Sequence, residues 1–513
     1  MEAFRGAVRE PAAAQAQALQ RVLEAARGTR FAAEHGLETV RSLSDYRAAV
    51  PVRSYDDHRH LYEAVAAGER RVVTRQRVLS LVKTSGTTGA PKLLPVTSTW
   101  ARIVADAQAL WVIAMVREQE EVTTGKSLIA VGPAVEGRTA GGLRYGSNTG
   151  RMAVAQPWLV KRRYAVPYFI HTLPDPEVRR YCLLRIALSA DVRTWTTANP
   201  STLLATCRSL QTWREPLTRD LHDGTLRSGP AAALPALTRL RLWTRLGQRR
   251  VPDGPWHLGR WWNLACINCW KGGAAPFFLD RLAAAMGATV PVREAGISAS
   301  EGYFALPLHS SWTGGVAYAN GHLLELAPEG GGDIVSLHEA EVGREYRLIV
   351  STTSGLYRYD LNDVVRVVGH MGRTPLLTFL RKGRDVLSVT GEKVTAGQVV
   401  QAMREAAPGA HGFTVGVELA EIPTYVACVA GIDPSSADAV GAALERSLCT
   451  LNVEYASKRE TDRLRPLRCV VVDDDTFDRF RAERLRHGTA EGQVKDPVLV
   501  HGHDLDRMLG GWR

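Results

Sequence analysis

The chain has 513 residues, of which 45% are apolar and 23% charged, with a formal net charge of +11 at pH 7. This length predicts a large domain together with a smaller one, and the composition excludes a disordered or fibrous protein. No run of eighteen apolar residues occurs and the Ala-rich N-terminus lacks the apolar segment of a signal peptide, so we expect no membrane partner and a cytoplasmic location.

The first part of the chain is predicted to be mainly helical. Helical periodicity covers residues 10–66, with a break at Pro51, and returns over residues 98–118. Short apolar runs rich in β-branched residues predict strands at 71–74, 78–82 and 128–131.

A loop between the second predicted strand and the following helix combines glycines, hydroxyl side chains and a lysine. It consists of Thr84, Ser85, Gly86, Thr87, Thr88, Gly89, Ala90, Pro91 and Lys92. Glycines let backbone N–H groups approach an anion, the hydroxyls add donors and the lysine adds positive charge. The Gly-Lys-Ser/Thr end of a Walker loop is absent, which excludes an ordinary P-loop NTPase. We expect an anion-binding loop; the alternative is a polar surface turn.

The positive charge comes mainly from arginine, since only nine of the 64 basic residues are lysine. The densest group lies on a predicted helix, interleaved with leucines: Arg239, Arg241, Arg245, Arg249 and Arg250. A solvated helical face is the favoured interpretation and an anionic partner the alternative. No basic patch carries the aromatic residues of a nucleic-acid interface, so we expect no nucleic-acid partner.

Seven cysteines are too few for a disulfide framework in a chain of this size. Cys266 and Cys269 form a CxxC inside an apolar run, without the second ligand pair that zinc needs. We predict a buried structural strand here rather than a metal or redox site.

Two carboxylates further along are candidate site residues. Glu301 lies among small residues after Ser300 and is suited to hold Mg²⁺ against phosphates; the alternative is an ordinary polar loop residue. Asp363 follows Gly355–Asn362 at a turn that enters a strand, where a carboxylate is suited to accept both hydroxyls of a ribose. Its alternative is a turn-capping role.

The character of the chain changes near residues 381–385. Before this point, strands at 347–351 and 363–368 form a β-rich part; after it, short helices and strands alternate. The predicted later strands are residues 413–418, 424–430 and 467–472, and the predicted helices are residues 395–406 and 435–448. The predicted class is α/β: a large N-terminal domain, residues 1–382, and a smaller α+β domain, residues 383–513, across a short hinge.

Close to the C-terminus, Lys495 stands alone in a Gly-containing loop. Such a lysine is suited to neutralise charge that develops on a phosphate during acyl transfer, although an isolated lysine is usually just solvated.

The order of these features resembles the adenylate-forming superfamily of acyl-CoA synthetases and adenylation domains. The closest similarity is to the auxin-responsive family of acyl-acid amido synthetases, over nearly the whole chain. The motifs that carry this resemblance are residues 51–57, Gly68-Glu69, residues 300–304, residues 355–359, Leu451-Asn452 with Tyr455 and Arg459, and residues 488–497.

The resemblance implies that the chain converts a carboxylic acid and ATP to acyl-AMP and pyrophosphate, and that an amine or amino acid then takes the acyl group as an amide. It implies that residues 84–89 and Lys92 bind phosphate, with Ser300 at the nucleotide, Glu301 on Mg²⁺ and Asp363 on ribose. Lys495 would reach the adenylation site from a smaller domain that turns between half-reactions. Arg381 or Arg384 would be the basic residue at the hinge.

Three positions depart from the family pattern: Ile297 replaces an aromatic residue beside adenine, Asn362 a glycine, and Val494 a tyrosine. None removes a charged group that the chemistry needs, so we expect an active enzyme. The first alternative is transfer to coenzyme A or a carrier thiol, and the second is a catalytically inactive nucleotide-binding protein. We predict a monomer or weak homodimer, with Arg138, Gly141 and Gly142 bordering the acid.

Overall fold

In a computed structural model, two compact units make up the chain, one of residues 1–84 and 92–381 and one that begins at Lys382. The described residues are 1–84, 92–198, 200–272, 275–329, 331–383, 386–410, 412–477, 479, 498–500 and 502–510.

Several helices of the first unit begin after a residue whose side chain caps them. Ser42 with Asp45, and Ser54 with Asp57, form capping boxes, and Thr97 accepts the N–H of Trp100. The helices are α1 (Glu2–Arg9), α2 (Pro11–Ala26), α3 (Arg30–Glu34), α4 (Leu43–Ala49), α5 (Tyr55–Ala66), α6 (Ser98–Glu118), α7 (Asn148–Ala155), α8 (Trp158–Lys161), α9 (Pro176–Leu188), α10 (Ser201–Thr212), α11 (Arg214–Asp223), α12 (Ala236–Leu242) and α13 (Ala275–Met286).

The strands of the first unit form three sheets. They are β1 (Ser80–Thr84), β2 (Lys92–Val96), β3 (Lys126–Ile129), β4 (Gly137–Arg138), β5 (Arg144–Gly146), β6 (Val192–Thr196), β7 (Cys266–Cys269), β8 (Val292–Glu294), β9 (Ile297–Ala299), β10 (Gly302–Leu306), β11 (Gly315–Ala317), β12 (Leu323–Pro328), β13 (Val335–Ser336), β14 (Glu345–Ser351), β15 (Tyr359–Met371) and β16 (Thr374–Lys382). The sheet orders are β2-β1-β5-β4, β3-β6-β7-β8 and β13-β12-β14-β15-β16-β11-β10-β9.

The CxxC lies in β7, between two parallel neighbours, and all four residues of that strand are buried. Burial raises the pKa of both Cys266 and Cys269 to about 12. The prediction of a buried structural strand is therefore confirmed.

The predicted strand at 71–74 is wrong. Arg71 has a left-handed φ of 55°, and its carbonyl accepts the N–H of Arg30 while the carbonyl of Val72 accepts the N–H of Phe31. These carbonyls satisfy donors at the start of α3 and are not used in a strand ladder. The strand predicted at 78–82 corresponds to β1, which starts and ends two residues later.

The helix predicted at 98–118 is α6, with the same bounds. Among the described residues it is the one helix whose length and hydropathy alone would allow it to cross a membrane. However, Trp100, Val104, Ala107 and Leu110 are buried, and the Trp111 indole donates to the backbone carbonyl of Glu294. Core helices pass the same test, so this is weak evidence for a span.

The predicted arginine-rich helix is shorter than expected. Helix α12 ends at Leu242 and a 3₁₀ turn follows, so Arg245, Arg249 and Arg250 lie outside it. Leu242 is buried, but Leu237 and Leu240 are 74% and 64% exposed. The interleaved leucines therefore do not all face the core.

The second unit is a small α+β unit. Its elements are β17 (Val386–Leu387), β18 (Val394–Thr395), α14 (Ala396–Ala406), β19 (Gly412–Glu418), β20 (Thr424–Ala430), α15 (Ala437–Leu451), α16 (Val453–Glu460), β21 (Arg465–Val471) and α17 (His503–Met508). Strand β20 pairs antiparallel with β19 and parallel with β21. Together the two units confirm the predicted class, a large α/β part with a β-rich region and a smaller α+β part.

Three residues that supported the family resemblance have structural roles in this second unit. Asn452 caps α16 by accepting the N–H of Tyr455 at 2.9 Å, and its amide donates to the backbone carbonyl of Glu392. The hydroxyl of Tyr455 and the guanidinium of Arg459 both bind the Glu445 carboxylate. These contacts hold the corner between α15 and α16.

Candidate active site

The lysine of the predicted anion-binding loop lies at the first position of β2. Strands β1 and β2 are antiparallel, and Thr84 pairs directly with Lys92, so the two ends of the loop are held side by side. The predicted phosphate-binding residues between these ends lie outside the described residues: Ser85, Gly86, Thr87, Thr88 and Gly89.

Glu301 occupies the tip of a tight hairpin. Ala299 of β9 pairs with Gly302 of β10, which leaves Ser300 and Glu301 as a two-residue connection. The carbonyl of Glu301 accepts the indole N–H of Trp100, at 2.8 Å, from the first turn of α6. The backbone of Glu301 is therefore anchored to the long helix α6.

Gly302 is required by its surroundings. A Cβ at this position would stand 2.6 Å from Nε2 of His322, which is 2% exposed. Burial lowers the pKa of His322 to about 3, so the imidazole beneath the hairpin is neutral at physiological pH.

Tyr359 connects the lysine and the carboxylate. Its hydroxyl accepts a hydrogen bond from Nζ of Lys92 at 3.1 Å and donates to Oε1 of Glu301 at 3.3 Å. Burial and the neighbouring Glu301 carboxylate hold the pKa of Tyr359 well above its ordinary value of 10. The phenol therefore stays neutral, with a proton to donate and lone pairs to accept.

Tyr55 completes the group on the other side. Its ring centroid lies 5.2 Å from Nζ of Lys92, within cation–π distance, and its hydroxyl accepts the N–H of Leu93 at 3.1 Å. A backbone bridge between Arg53 and Tyr359 holds the two tyrosine-bearing segments together. Groups from residues 55, 92, 301 and 359 thus meet at one place.

Asp363 lies in a bulge of the same strand as Tyr359. Asp360 pairs with Ile349, and Val364 with Arg347, so three residues of β15 face Leu348 alone. Asn362 adopts a φ of 55° in this bulge, in keeping with the tolerance of asparagine for the left-handed region. Asp363 itself is 6% exposed.

The arginine of the Tyr-Arg motif does not join this group. Arg358 forms a buried ion pair with Glu325 at 3.0 Å and donates to the carbonyl of Val50 at 2.8 Å. Its role is to tie β12 to the segment after α4.

The remaining predicted site residues are not brought to this group by the described contacts. Nη1 of Arg138 donates to the carbonyl of Gly142, at 3.0 Å, within one exposed hairpin, and Gly141 packs against the backbone of Gly68. Arg381 lies in β16. Arg384 and Lys495 lie outside the described residues.

Tyr359 and Tyr55 are the two site residues that sequence reasoning missed. Both stand inside motifs that carried the family resemblance, but neither local sequence, Ser-Tyr-Asp for Tyr55 and Arg-Tyr-Asp for Tyr359, distinguishes a site tyrosine from a packing one. The signal that identifies them is their contact with Lys92, which requires the folded structure.

Comparisons with known proteins agree over most of the chain. Models of the GH3 family N-terminal, central and C-terminal domains match residues 1–292, 318–382 and 397–504. An indole-3-acetic acid-amido synthetase GH3.8 of Oryza sativa subsp. indica is 26% identical over 541 residues, covering 95% of this chain and 88% of the relative. Indole-3-acetic acid-amido synthetase GH3.3 of Arabidopsis thaliana is 24% identical over 552 residues, covering 96% and 90%.

Solved structures share the fold. GH3.15 acyl acid amido synthetase has a TM-score of 0.69 at 22% identity, over 99% of this chain and 95% of that chain. A 2-hydroxyisobutyryl-CoA ligase in complex with 2-HIB-AMP and CoA has a TM-score of 0.51 at 15% identity, over 98% and 91%.

The fold is therefore that of adenylate-forming ligases. The chain belongs to the GH3 family, the family of acyl-acid amido synthetases that its motifs resemble. The predicted enzyme class, an amide-forming ligase, is confirmed at the level of this family.

Proposed function

We propose that this chain uses ATP to activate a small-molecule carboxylic acid as acyl-AMP, releasing pyrophosphate, and transfers the acyl group to an amine or amino acid. The observation that carries the proposal is the meeting of Lys92, Tyr359 and Glu301, from three distant parts of the sequence, in a GH3 family fold.

The chemistry explains why such a site needs both charges. A free carboxylate is a poor acyl donor because its leaving group would be oxide, whereas AMP is a good leaving group. Negative charge grows around the α-phosphate while the anhydride forms, and cations aimed at it lower the barrier. Lys92 provides one fixed positive charge beside the loop.

Glu301 is suited to hold a magnesium ion. Mg²⁺ prefers hard oxygen ligands and is commonly bound through one or two carboxylates together with substrate phosphates. Glu301 is 9% exposed and only its Oε1 is engaged by Tyr359. When bound, the ion would supply Lewis-acid stabilisation of phosphate charge.

The other residue roles follow the family pattern. Residues 84–89 would hold phosphate, with Ser300 beside the nucleotide, and Asp363 would bind the ribose. Lys495 would act in adenylation, and Arg381 or Arg384 would serve at the junction of the two units. Arg138, Gly141 and Gly142 would border the acid.

The activation step is tested by acid-dependent ATP–pyrophosphate exchange over a panel of indolyl, aryl and aliphatic acids. We expect exchange that requires one class of acid and Mg²⁺. Exchange or pyrophosphate release that never depends on any acid would count against adenylation.

The acceptor is tested separately, by mass spectrometry of reactions that contain the active acid with either an amino-acid mixture or coenzyme A. The family predicts an amide product. A thioester without amide would instead favour the alternative of a coenzyme A or carrier-thiol ligase, whose fold is represented by the 2-hydroxyisobutyryl-CoA ligase. Nucleotide binding without any turnover would indicate the inactive alternative.

A further inference from the structure

Besides its charged residues, the candidate site contains a buried hydroxyl group, that of Tyr359, which accepts one hydrogen bond and donates another. The phenol of Tyr359 has a single proton, and its geometry directs that proton to Oε1 of Glu301. Its oxygen accepts from the Lys92 ammonium. The hydroxyl therefore bridges the two side chains, as an acceptor toward Lys92 and a donor toward Glu301.

The phenol is itself held rigidly. Tyr359 is 1% exposed, its backbone pairs with Val350 of β14, and the neighbouring N–H of Asp360 donates to the carbonyl of Arg53 at 2.9 Å. The lysine has a flexible side chain and the glutamate lies at a hairpin tip. Both are therefore positioned by hydrogen bonds to a hydroxyl that is fixed in the core.

Lys92 and Glu301 are each held by a second contact in addition to the Tyr359 hydroxyl. The Glu301 backbone is fixed by the Trp100 indole, so the hydroxyl of Tyr359 needs only to set the carboxylate rotamer. The Lys92 ammonium lies near the rings of both Tyr55 and Tyr359, at 5.2 and 5.7 Å from their centroids. Removal of the hydroxyl alone would leave both anchors and lose the alignment.

We propose that Tyr359 is a positioning residue for nucleotide binding, which sets the Lys92 ammonium for phosphate and presents Oε2 of Glu301 for the metal. This inference rests on the proposed function. The hydroxyl acts through its two charged partners because positioned charges bind a metal–phosphate group better than mobile ones.

The test compares Tyr359→Phe with the wild-type full-length chain. Calorimetry with α,β-methylene ATP, which cannot release pyrophosphate, gives the dissociation constant at low and high Mg²⁺. We expect at least a fivefold weakening at low Mg²⁺, because two hydrogen bonds to charged groups are lost. In exchange assays, the KM for ATP should rise while kcat changes less than about threefold, because Lys92 and Glu301 both remain.

Tyr46→Phe is the matched control. Tyr46 is also fully buried in the first unit, and its hydroxyl donates to Oγ of Ser351. This variant should lose similar stability and bind the analogue as the wild type does.

A change below fivefold in Tyr359→Phe would overturn the inference while the proposed function stands, provided that the wild type shows acid-dependent exchange. Equal weakening in Tyr46→Phe would also overturn it, since general destabilisation would then explain the effect. A wild type that neither binds the analogue nor exchanges would refute the proposed function, and the inference with it.

Discussion

Glu301 and Glu294 are two buried carboxylates of the first unit whose hydrogen-bond partners differ. Glu301 accepts from a phenol and lies at a hairpin tip. Glu294 ends β8, is 4% exposed, and accepts the N–H groups of Lys271 at 2.8 Å and Gly296 at 3.0 Å. Burial dominates over these bonds and raises the pKa of Glu294 from 4.5 to about 7.

The charge of Glu301 is tested by Glu301→Gln. The amide oxygen can still accept from Tyr359, but the anionic ligand for the metal is lost. Acid-dependent exchange should fall by about a hundredfold or more with little change in thermal stability. Glu341→Gln, at an exposed surface pair, is the control. Near-normal exchange in Glu301→Gln would show that Glu301 does not hold the metal.

Glu294 predicts a pH dependence of stability. Its pKa is higher in the folded than in the unfolded state, so its stabilising contribution is complete below about pH 4.5 and lost as pH rises through about 7. The loss is roughly 3 kcal/mol for a shift of this size. Urea unfolding at pH 5 and pH 8 should show a smaller decrease for Glu294→Gln than for the wild type. Parallel decreases would contradict the raised pKa.

At the scale of elements, the β4–β5 hairpin packs on the end of α5 through glycine backbones. The N–H of Gly141 donates to the carbonyl of Ala66 at 3.2 Å. A Cβ on Gly141 would lie 2.3 Å from the backbone of Ala67 and Gly68, too close for any rotamer change to relieve. The contact therefore requires the absence of a side chain.

Gly141→Ala should lower the free energy of unfolding by about 2 kcal/mol or more, because backbone must move to admit the methyl group. Gly247→Ala is the control, since a Cβ there meets no atom within 4 Å and its φ is not positive; its change should stay within about 1 kcal/mol. Urea unfolding measures both variants. Equal stability would refute the packing role of Gly141.

Elements with strong periodicity could be predicted from sequence, and those decided by tertiary contacts could not. Helix α6 follows its apolar period, whereas residues 71–74 have strand composition but the carbonyls of Arg71 and Val72 accept N–H groups at the start of α3. The same distinction holds at the site. Lys92 and Glu301 are unusual in their local sequence, but the contribution of Tyr359 depends on the convergence of β2, the β9–β10 hairpin and β15.

At the scale of the molecule, the proposed chemistry draws on both units. The first unit contains Lys92, Glu301 and Asp363. Lys495 belongs to the second unit, which includes residues 382–513. The family resemblance implies that the smaller domain turns between half-reactions and that Lys495 serves the first of them.

Lys495→Ala should therefore reduce acid-dependent exchange by about a hundredfold while the melting temperature stays within a few degrees of the wild type. Hydrolysis or aminolysis of a supplied acyl-AMP should be much less affected, because that step no longer needs charge neutralisation during adenylation. Lys161→Ala is the control. Full exchange activity in Lys495→Ala would show that the assignment is wrong.

All seven cysteines are unpaired, and burial raises the pKa of every thiol to about 11 or 12. Only Cys449 and Cys469 are partly accessible. Maleimides react with thiolates, so the natural thiols should label slowly at neutral pH. One cysteine introduced on the surface of each unit would then accept fluorophores selectively, and energy transfer between them would follow the two units through a catalytic cycle in an otherwise unaltered enzyme.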